Sequence, residues 1–485
     1  MRVVPTLAAT VAAHARTKPD APAYVTAGAR TSWREYHERS DAFASELVDA
    51  GCARGERIAA RMSDTAIVHA AFLGIEKAGG VIVGIGARAG AREIEHVLEK
   101  TGAAAVYDDS TTFPERGRAP DPARATISRD LWLLNSTSGT TGLPKVVMHD
   151  QARWFAFHEL AVDAGGLTSA DVFMSVLPAP FGFGIWTAHV TPTLLGAPCV
   201  VMPRFDADEC LALIERERVS VLAAVSTQLV MLLEAATLPA RDLSSLRVLF
   251  TGGEMVPYER AAAFEDRTGC SVLQFYGSNE TGALSRTTLQ DDREHRLRTA
   301  GRVIPEMQVR LVDDAGADVT ATGGPAIAAC KGAVNCLGYY DDPSANARLY
   351  TDDGWMLTGD YCTIDDDGYL TVAGRASDFI VRGGKNISAA QVEDEVASHD
   401  SVALAAAVAM PDTVFGERVC VYVEQRPGTD TLTLDVLCAH LAGRGVGKEL
   451  WPERLEVVEA LPRSSGGKVA KGTLRDDIRQ RTSTS

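Results

Sequence analysis

Fourteen residues, Ser136-Thr137-Ser138-Gly139-Thr140-Thr141-Gly142-Leu143-Pro144-Lys145-Val146-Val147-Met148-His149, line up seven small hydroxyl or glycine side chains ahead of a proline and a lysine. Such a run reads as a phosphate loop. Glycine lets the main chain approach an anion closely, successive N–H groups and hydroxyls donate to it, and the lysine adds a point charge. The apolar stretch Leu131-Trp132-Leu133-Leu134 immediately before it reads as a buried strand, so the loop is expected to leave a strand end. A flexible Ser/Thr/Gly linker has the same composition, but linkers seldom adjoin a buried strand and a Pro-Lys stop. Nor is it a Walker loop, because Gly142-Leu143-Pro144-Lys145 breaks the required Gly-Lys-Ser/Thr ending.

At 485 residues and 46% hydrophobic, the chain is long enough for a large core, divided over about two to four domains. A net charge of −16 argues against the basic face that nucleic acid or an anionic membrane requires, so neither is an expected partner. Any anionic ligand must be held by local groups. Nine cysteines are scattered without a C-x-x-C pair. That argues against a zinc site or a disulfide framework and for reduced core cysteines in a cytoplasmic protein. Arg2 and the apolar residues after it imitate a signal peptide. Leu7, Val11 and Ala15 nevertheless recur at helical spacing and Pro19 stops the run, so an amphipathic first helix is expected. No window approaches the ~18 uncharged apolar residues of a membrane helix.

Short apolar strand candidates alternate with helical patterns through most of the chain, as in layered α/β proteins. Gly80–Val83 precedes a helical Ala91–Glu99, and Cys199–Met202 precedes a helical Ala207–Glu217. Arg247–Phe250 runs into Thr251-Gly252-Gly253-Glu254, and Ser271–Tyr276 into Gly277-Ser278-Asn279-Glu280, so polar residues sit at strand ends, where open α/β sheets bind ligands. From about Gln308 the texture changes to short strands with Asp/Gly turns at 313–316, 352–354 and 365–368, which read as hairpins. The polar stretch Gly374–Asp378 marks a boundary. The fold expected is α/β: a large N-terminal domain of layered α/β subdomains, residues 1–377, and a smaller mobile C-terminal α+β domain, residues 378–485. The Arg/Thr/Ser end after Leu474 is expected to fray.

Several motifs, in order, resemble the adenylate-forming superfamily that contains acyl-CoA synthetases, luciferases and peptide-synthetase adenylation domains. The family's T-S-G-[ST]-T-G-x-P-K-G resembles Thr137–Lys145, Y-G-x-T-E resembles Tyr276–Glu280, and T-G-D matches Thr358-Gly359-Asp360. G-R-x-x-D matches Gly374–Asp378 and P-x-x-x-x-G-K matches Pro462–Lys468. The resemblance implies an acid–CoA ligase using ATP, Mg²⁺ and coenzyme A by way of an acyl-adenylate and AMP. It implies that Thr137, Ser138, Gly139, Thr140, Thr141, Gly142 and Lys145 grip the phosphates. Gly252, Gly253, Glu254, Tyr276 and Gly277 would form the adenine slot, and Asp360 with Arg375 would hold the ribose. Glu280 would hold Mg²⁺, Asn279 would face the AMP phosphate, and Lys468 would bridge the substrate carboxylate and the α-phosphate. Asp378 would be the hinge about which the small domain turns, and Gly384 would line the pantetheine tunnel. An ammonium bridging two anions that must meet suits the chemistry, because a carboxylate attacking ATP needs charge cancelled and reactants aligned.

The acid pocket is expected among Phe181, Gly182, Phe183, Trp186, Ser226, Gly253 and Ser278. It shows no obvious second charge, and the small run Ala223–Thr227 leaves room for a bulky cyclic or aromatic acid. Three departures bear on adenylation. Asn279 stands for the usual threonine, Val146 for the glycine closing the loop, and Phe181 where many relatives carry a His or aromatic gate. A valine is stiff for a loop that needs freedom, so a member that mainly converts a preformed acyl-adenylate to its thioester is a second reading. Two other classes stay open at this point. Gly84-Ile85-Gly86-Ala87-Arg88-Ala89-Gly90 imitates a dinucleotide fingerprint with glycine spacing off by one, and a non-catalytic binding protein of the same fold would bind acid or AMP without turnover. No feature of the sequence sets an oligomeric state.

Overall fold

The computed structural model describes residues 6–113, 117–137, 144–254, 256–313, 315–375, 378–383, 385–463 and 468–483. Three sheets belong to the first 375 residues. The largest has nine described strands. Its middle is parallel, running Ser271–Ser278, Val248–Gly252, Val221–Ala223, Phe173–Ser175, Cys199–Val201 and Pro22–Val25 side by side. Antiparallel strands close both edges. A second sheet places Ala105–Asp108, Arg57–Arg61, Val81–Gly84 and Leu131–Ser136 in parallel, with Val146–Asp150 antiparallel to the last. Helices pack between and around these sheets, and the central strands are apolar because both their faces are covered. Val81, Ile82, Val83, Leu133 and Leu134 are all at most 2% exposed. A third, antiparallel sheet runs Met307–Val312, Ala326–Gly332, Met356–Ile364, Leu370–Arg375.

Beyond residue 378 the chain builds a separate mixed sheet from Phe379–Arg382, Lys385–Ser388, Val402–Asp412, Gly416–Gln425 and Arg454–Val458. Its core includes Ile380, Val392, Val421 and Leu437, and none of the clusters formed by residues 7–370 shares a member with it. Mixed α/β architecture with a large first part and a smaller second part is thus what the alternating pattern indicated. No helix among the described residues is long and apolar enough to cross a membrane.

Local signals hold closely. The first helix is Leu7–Thr17, capped by the Thr6 hydroxyl and ending ahead of Pro19, and the helix Ala207–Glu217 has the bounds expected, its Asp206 carboxylate accepting from Glu209 N–H. Asp365–Gly368 joins two antiparallel strands as a hairpin. Asp352-Asp353-Gly354 is the turn of a minimal hairpin, with Tyr350 and Met356 as an antiparallel bridge and Thr351 N–H donating to the Trp355 carbonyl at 2.8 Å, and residue 314 of the remaining turn lies outside the described residues. Two expectations are corrected. The end after Leu474 is not frayed: Lys471–Ser483 is a helix, with Leu474 and Ile478 buried against Ala406, Val408 and Tyr422. Val146 is not a loop residue: it opens the strand Val146–Asp150, pairs with Ser136 and is 2% exposed, so its β-branched side chain favours the local conformation.

Candidate active site

Gly252 and Phe275 are register partners on adjacent parallel strands, so Gly252-Gly253-Glu254 and Tyr276–Glu280 leave the sheet along one edge. The second segment turns back at once into Gly282–Arg286. Ser278 N–H donates to Thr281 Oγ1 at 2.9 Å, while Glu280 and Thr281 N–H donate to Ser278 Oγ at 3.2 and 3.1 Å. This corner uses the Ser278 hydroxyl for its own geometry. Gly277 has no room for a side chain, because a Cβ there would fall 1.6 Å from the Gly282 carbonyl oxygen.

Around that edge the structure assembles four polar constellations. Tyr276 hydroxyl donates to Asp360 Oδ2 at 2.9 Å and Arg375 Nε to Asp360 Oδ1 at 3.2 Å, Asp360 and Arg375 being cross-strand neighbours. Burial pushes the Asp360 carboxyl up, opposed first by the Arg375 charge and then by the Tyr276 hydrogen bond. Tyr339 hydroxyl donates to Glu280 Oε1 at 2.8 Å, and Lys145 Nζ lies 4.6 Å from the centre of the Tyr339 ring. Asn279 Nδ2 donates to Asn135 Oδ1 at 2.7 Å.

The fourth constellation crosses from the C-terminal sheet. Lys468 Nζ donates to the Gly253 carbonyl oxygen at 2.7 Å. Desolvation lowers the Lys468 ammonium, and the charges of Glu254, Asp360 and Glu280 oppose it. Burial in turn raises Glu254, with Lys468 as the main opposing charge. Glu254, Arg375, Asp360 and Glu280 therefore lie near enough for their charges to act on Lys468. Asp378 forms an ion pair with Arg475 of the terminal helix. Further contacts seat the C-terminal part: Arg426 Nε lies 2.9 Å from Glu234 Oε1, Arg260 Nη1 lies 3.6 Å from that oxygen, and Arg260 also donates to the Val402 carbonyl.

Not every expected residue can be placed. Ser138, Gly139, Thr140, Thr141 and Gly142 of the loop, and Gly384, lie outside the described residues. The loop's base is visible: Thr137 N–H donates to the Lys145 carbonyl at 3.0 Å. Among the pocket candidates, Phe183 stacks on Trp186 at 5.4 Å and also packs with Leu177, Ala223 and Val225. The small run thus makes space for Phe183. Trp186 continues into a cluster with Phe157, Phe250 and Phe275, all largely buried. Ser226 is buried at 4% exposure, Gly182 abuts Asn279 Oδ1, and the Phe181 ring lies against Gly86. Gly84 and Gly86 of the dinucleotide-like segment serve this packing, since a Cβ on Gly84 would meet Pro180 at 2.7 Å and one on Gly86 the Phe181 ring at 3.1 Å.

Residues at this edge that sequence reasoning did not single out are Tyr339 and Asn135. Tyr339 follows a glycine in Gly338-Tyr339-Tyr340 but meets Glu280 across 59 positions, and no local spacing announces that contact. Asn135 is a polar residue inside an otherwise apolar strand, a signal that was available.

Residues 11–340 match the AMP-binding enzyme family and residues 391–468 the AMP-binding enzyme C-terminal domain. The chain belongs to the AMP-binding enzyme family, within the adenylate-forming superfamily that its motifs resemble. It is 36% identical over 347 residues to the medium-chain fatty-acid–CoA ligase of Escherichia coli strain K12, covering 71% of this chain and 61% of that ligase's length. It is 35% identical over 353 residues to the indoleacetate–CoA ligase of Aromatoleum aromaticum, covering 72% of this chain and 66% of the relative. The fold superposes on the crystal structure of the anthranilate CoA ligase AuaEII in complex with anthranoyl-AMP with a TM-score of 0.91, at 22% identity, covering 100% of this chain and 99% of that one.

Proposed function

We propose that this chain is an AMP-forming acid–CoA ligase acting on an apolar carboxylic acid. The observation that carries the reading is the delivery of Lys468 from the C-terminal part into the cleft beside Glu254, Asp360, Arg375 and Glu280. An ammonium carried on a separate part of the chain and anchored on one carbonyl is the kind of group that can bring two anions together. The acid's carboxylate oxygen attacks the α-phosphorus of ATP, pyrophosphate leaves, and the acyl-adenylate forms. The thiolate of CoA then attacks the acyl carbon and AMP departs. Lys468 neutralises charge in the first step and positions carboxylate and phosphate. Asp360, polarised by Tyr276 and Arg375, accepts from the ribose hydroxyls, and the Gly252–Glu254 and Tyr276–Gly277 edges flank the adenine. Lys145 with the Thr137 loop grips the outer phosphates.

Glu280 suits Mg²⁺ arriving with ATP. Mg²⁺ is typically bound through one or two carboxylates plus substrate phosphates, and the described residues hold no group of three metal-ligating side chains that would retain an ion on its own. Bound there, it would neutralise phosphate charge.

For the second step the C-terminal part, residues 378–485, turns about Asp378, removing Lys468 and presenting Gly384 to the thiol. The separate core of that part and its polar docking contacts support such a motion. The packed rings of Phe183, Trp186, Phe157 and Phe275, with no charged side chain among them, support an apolar acid over a charged one. The second reading, a chain starting from preformed adenylate, loses the support it drew from Val146, which sits in a strand. Incubation with benzoate, indoleacetate, octanoate and cyclohexanecarboxylate, each with ATP, Mg²⁺ and CoA, tests the proposal. AMP, pyrophosphate and thioester should appear in equal amounts with at least one acid. Thioester formed only from synthetic acyl-adenylates would favour the second reading, and neither product would overturn both.

A further inference from the structure

Behind Asn279 runs a hydrogen-bonded chain to which the motifs assign no role. Arg153 is 2% exposed and has no carboxylate within ion-pair distance among the described residues. Its Nη1 donates to His149 Nδ1. His149, fully buried, has its Nε2 2.8 Å from Asn135 Oδ1. Asn135, 1% exposed, donates through Nδ2 to the Pro180 carbonyl at 2.8 Å and faces Asn279 as a reciprocal amide pair, at 2.7 Å one way and 3.4 Å the other.

The polarity of this chain is forced at both ends. A guanidinium has only donors, so His149 Nδ1 must accept and the ring's single proton must sit on Nε2. The Asn135 atom opposite that proton is then its oxygen. From the other side, the Pro180 carbonyl can only accept, so the Asn135 atom facing it is the nitrogen. Both constraints give the same orientation of Asn135, and Asn279 must in turn present its nitrogen to Asn135 Oδ1. The Asn279 oxygen is held beside Gly182, where a Cβ would lie 2.9 Å from it. Among the described residues, one N–H of Asn279 has no partner.

We propose that Arg153, His149 and Asn135 are positioning residues that lock the Asn279 amide so that it offers an N–H donor, and not a carbonyl, to the α-phosphate of the nucleotide. The proposal rests on the ligase reading and explains how an asparagine, whose two ends are nearly alike in shape, can stand where relatives use a threonine. A threonine hydroxyl rotates to serve as a donor unaided. An asparagine needs its orientation imposed.

The test is AMP binding by calorimetric titration to the full chain and to the variants His149→Leu, His149→Gln, Asn135→Ala, Asn279→Ala and the double variant His149→Leu/Asn279→Ala. Coupling energies within such networks lead to an expected loss of AMP affinity of about tenfold for His149→Leu and for Asn135→Ala. The glutamine variant, which keeps an N–H facing Asn135, should stay within about threefold. With Asn279 already alanine, adding His149→Leu should change affinity by less than about twofold, because the relay then has no end to orient. A purely structural role would instead give losses that multiply, and that result, or wild-type affinity in His149→Leu, overturns the relay. Imidazole ¹⁵N shifts of the wild-type chain give a check that needs no variant to fold. They should report the Nε2–H tautomer at His149, and the Nδ1–H tautomer overturns the relay. Failure of the wild-type chain to bind AMP would overturn the ligase reading itself, whereas AMP binding with uncoupled variants overturns only the relay.

Discussion

Lys468 and Gly253 meet at 2.7 Å across 215 positions of sequence, an ammonium from the C-terminal part donating to a carbonyl at a strand end of the large sheet. Gly253 adopts φ +79°, and a Cβ on it would lie 2.7 Å from the Lys468 Nζ. The residue is therefore needed both for its left-handed backbone and for the absence of a side chain. Gly253→Ala should reduce adenylation about tenfold or more while leaving the thermal midpoint lowered by only a few degrees. Steady-state pyrophosphate release and a melting curve check both, and wild-type adenylation in this variant would show that Lys468 does not work from this position.

Tyr339 links Glu280 to Lys145. In Tyr339→Phe the ring under Lys145 stays and the hydroxyl on Glu280 is lost. A hydrogen bond to a charged group is worth ~1.5–3 kcal/mol, so the concentration of Mg²⁺ giving half-maximal adenylation should rise severalfold with a smaller change in kcat. An unchanged Mg²⁺ dependence would remove Tyr339 from the site.

Glu234 accepts from Arg426 of the C-terminal part and faces Arg260, which itself donates to the Val402 carbonyl. Glu234→Ala should loosen the seating seen here, lowering adenylation about threefold to tenfold, on the order of a partly exposed charge pair. Thioester formation from a supplied acyl-adenylate should not fall. Equal loss in both half-reactions would mean that these contacts serve stability alone.

Glu76 gives a pH dependence with a definite sign. It is fully buried, and desolvation raises its carboxyl from 4.5 to about 7 against the opposing Ala8 N–H hydrogen bond and smaller contributions. Between those values the native chain holds a proton that the unfolded chain has released, so stability falls as pH rises across that window, by up to about 3 kcal/mol, and levels off above it. Below 4.5 both states are protonated and the group contributes no slope. Glu76→Gln should lose most of this slope, so that urea midpoints at pH 5 and pH 8 differ less than in wild type. Identical slopes would show that Glu76 ionises freely in the fold.

What the sequence disclosed and what it hid divide along physical lines. Strand ends rich in glycine and polar residues, the helical spacing of Leu7, Val11 and Ala15 and the stop before Pro19 are local signals, and these elements stand where their residues place them. The ordered motifs pointed to Lys468, Glu280, Asp360 and Arg375, and in the structure the charges of the last three act on Lys468. Tyr339 was hidden because it meets Glu280 only across distant segments, and Arg153 and His149 because they look like ordinary core polar residues, whereas Asn135 interrupts an apolar run. Val146 misled because a family loop pattern ends on glycine, whereas here the strand simply begins at that residue. The terminal helix misled because an Arg/Thr/Ser-rich tail looks disordered, yet Leu474 and Ile478, four apart, supply the stripe that docks it.

The most direct test is Lys468→Ala, assayed separately for adenylation, as pyrophosphate release from ATP and acid, and for thioester formation from synthetic acyl-adenylate and CoA. If a mobile C-terminal part brings this ammonium in for the first half-reaction and withdraws it for the second, adenylation should fall by at least about a hundredfold, the scale of losing a charge that stabilises the transition state. Thioester formation should stay within about threefold. Adenylation at the wild-type rate, or the same loss in both half-reactions, would contradict that division of labour.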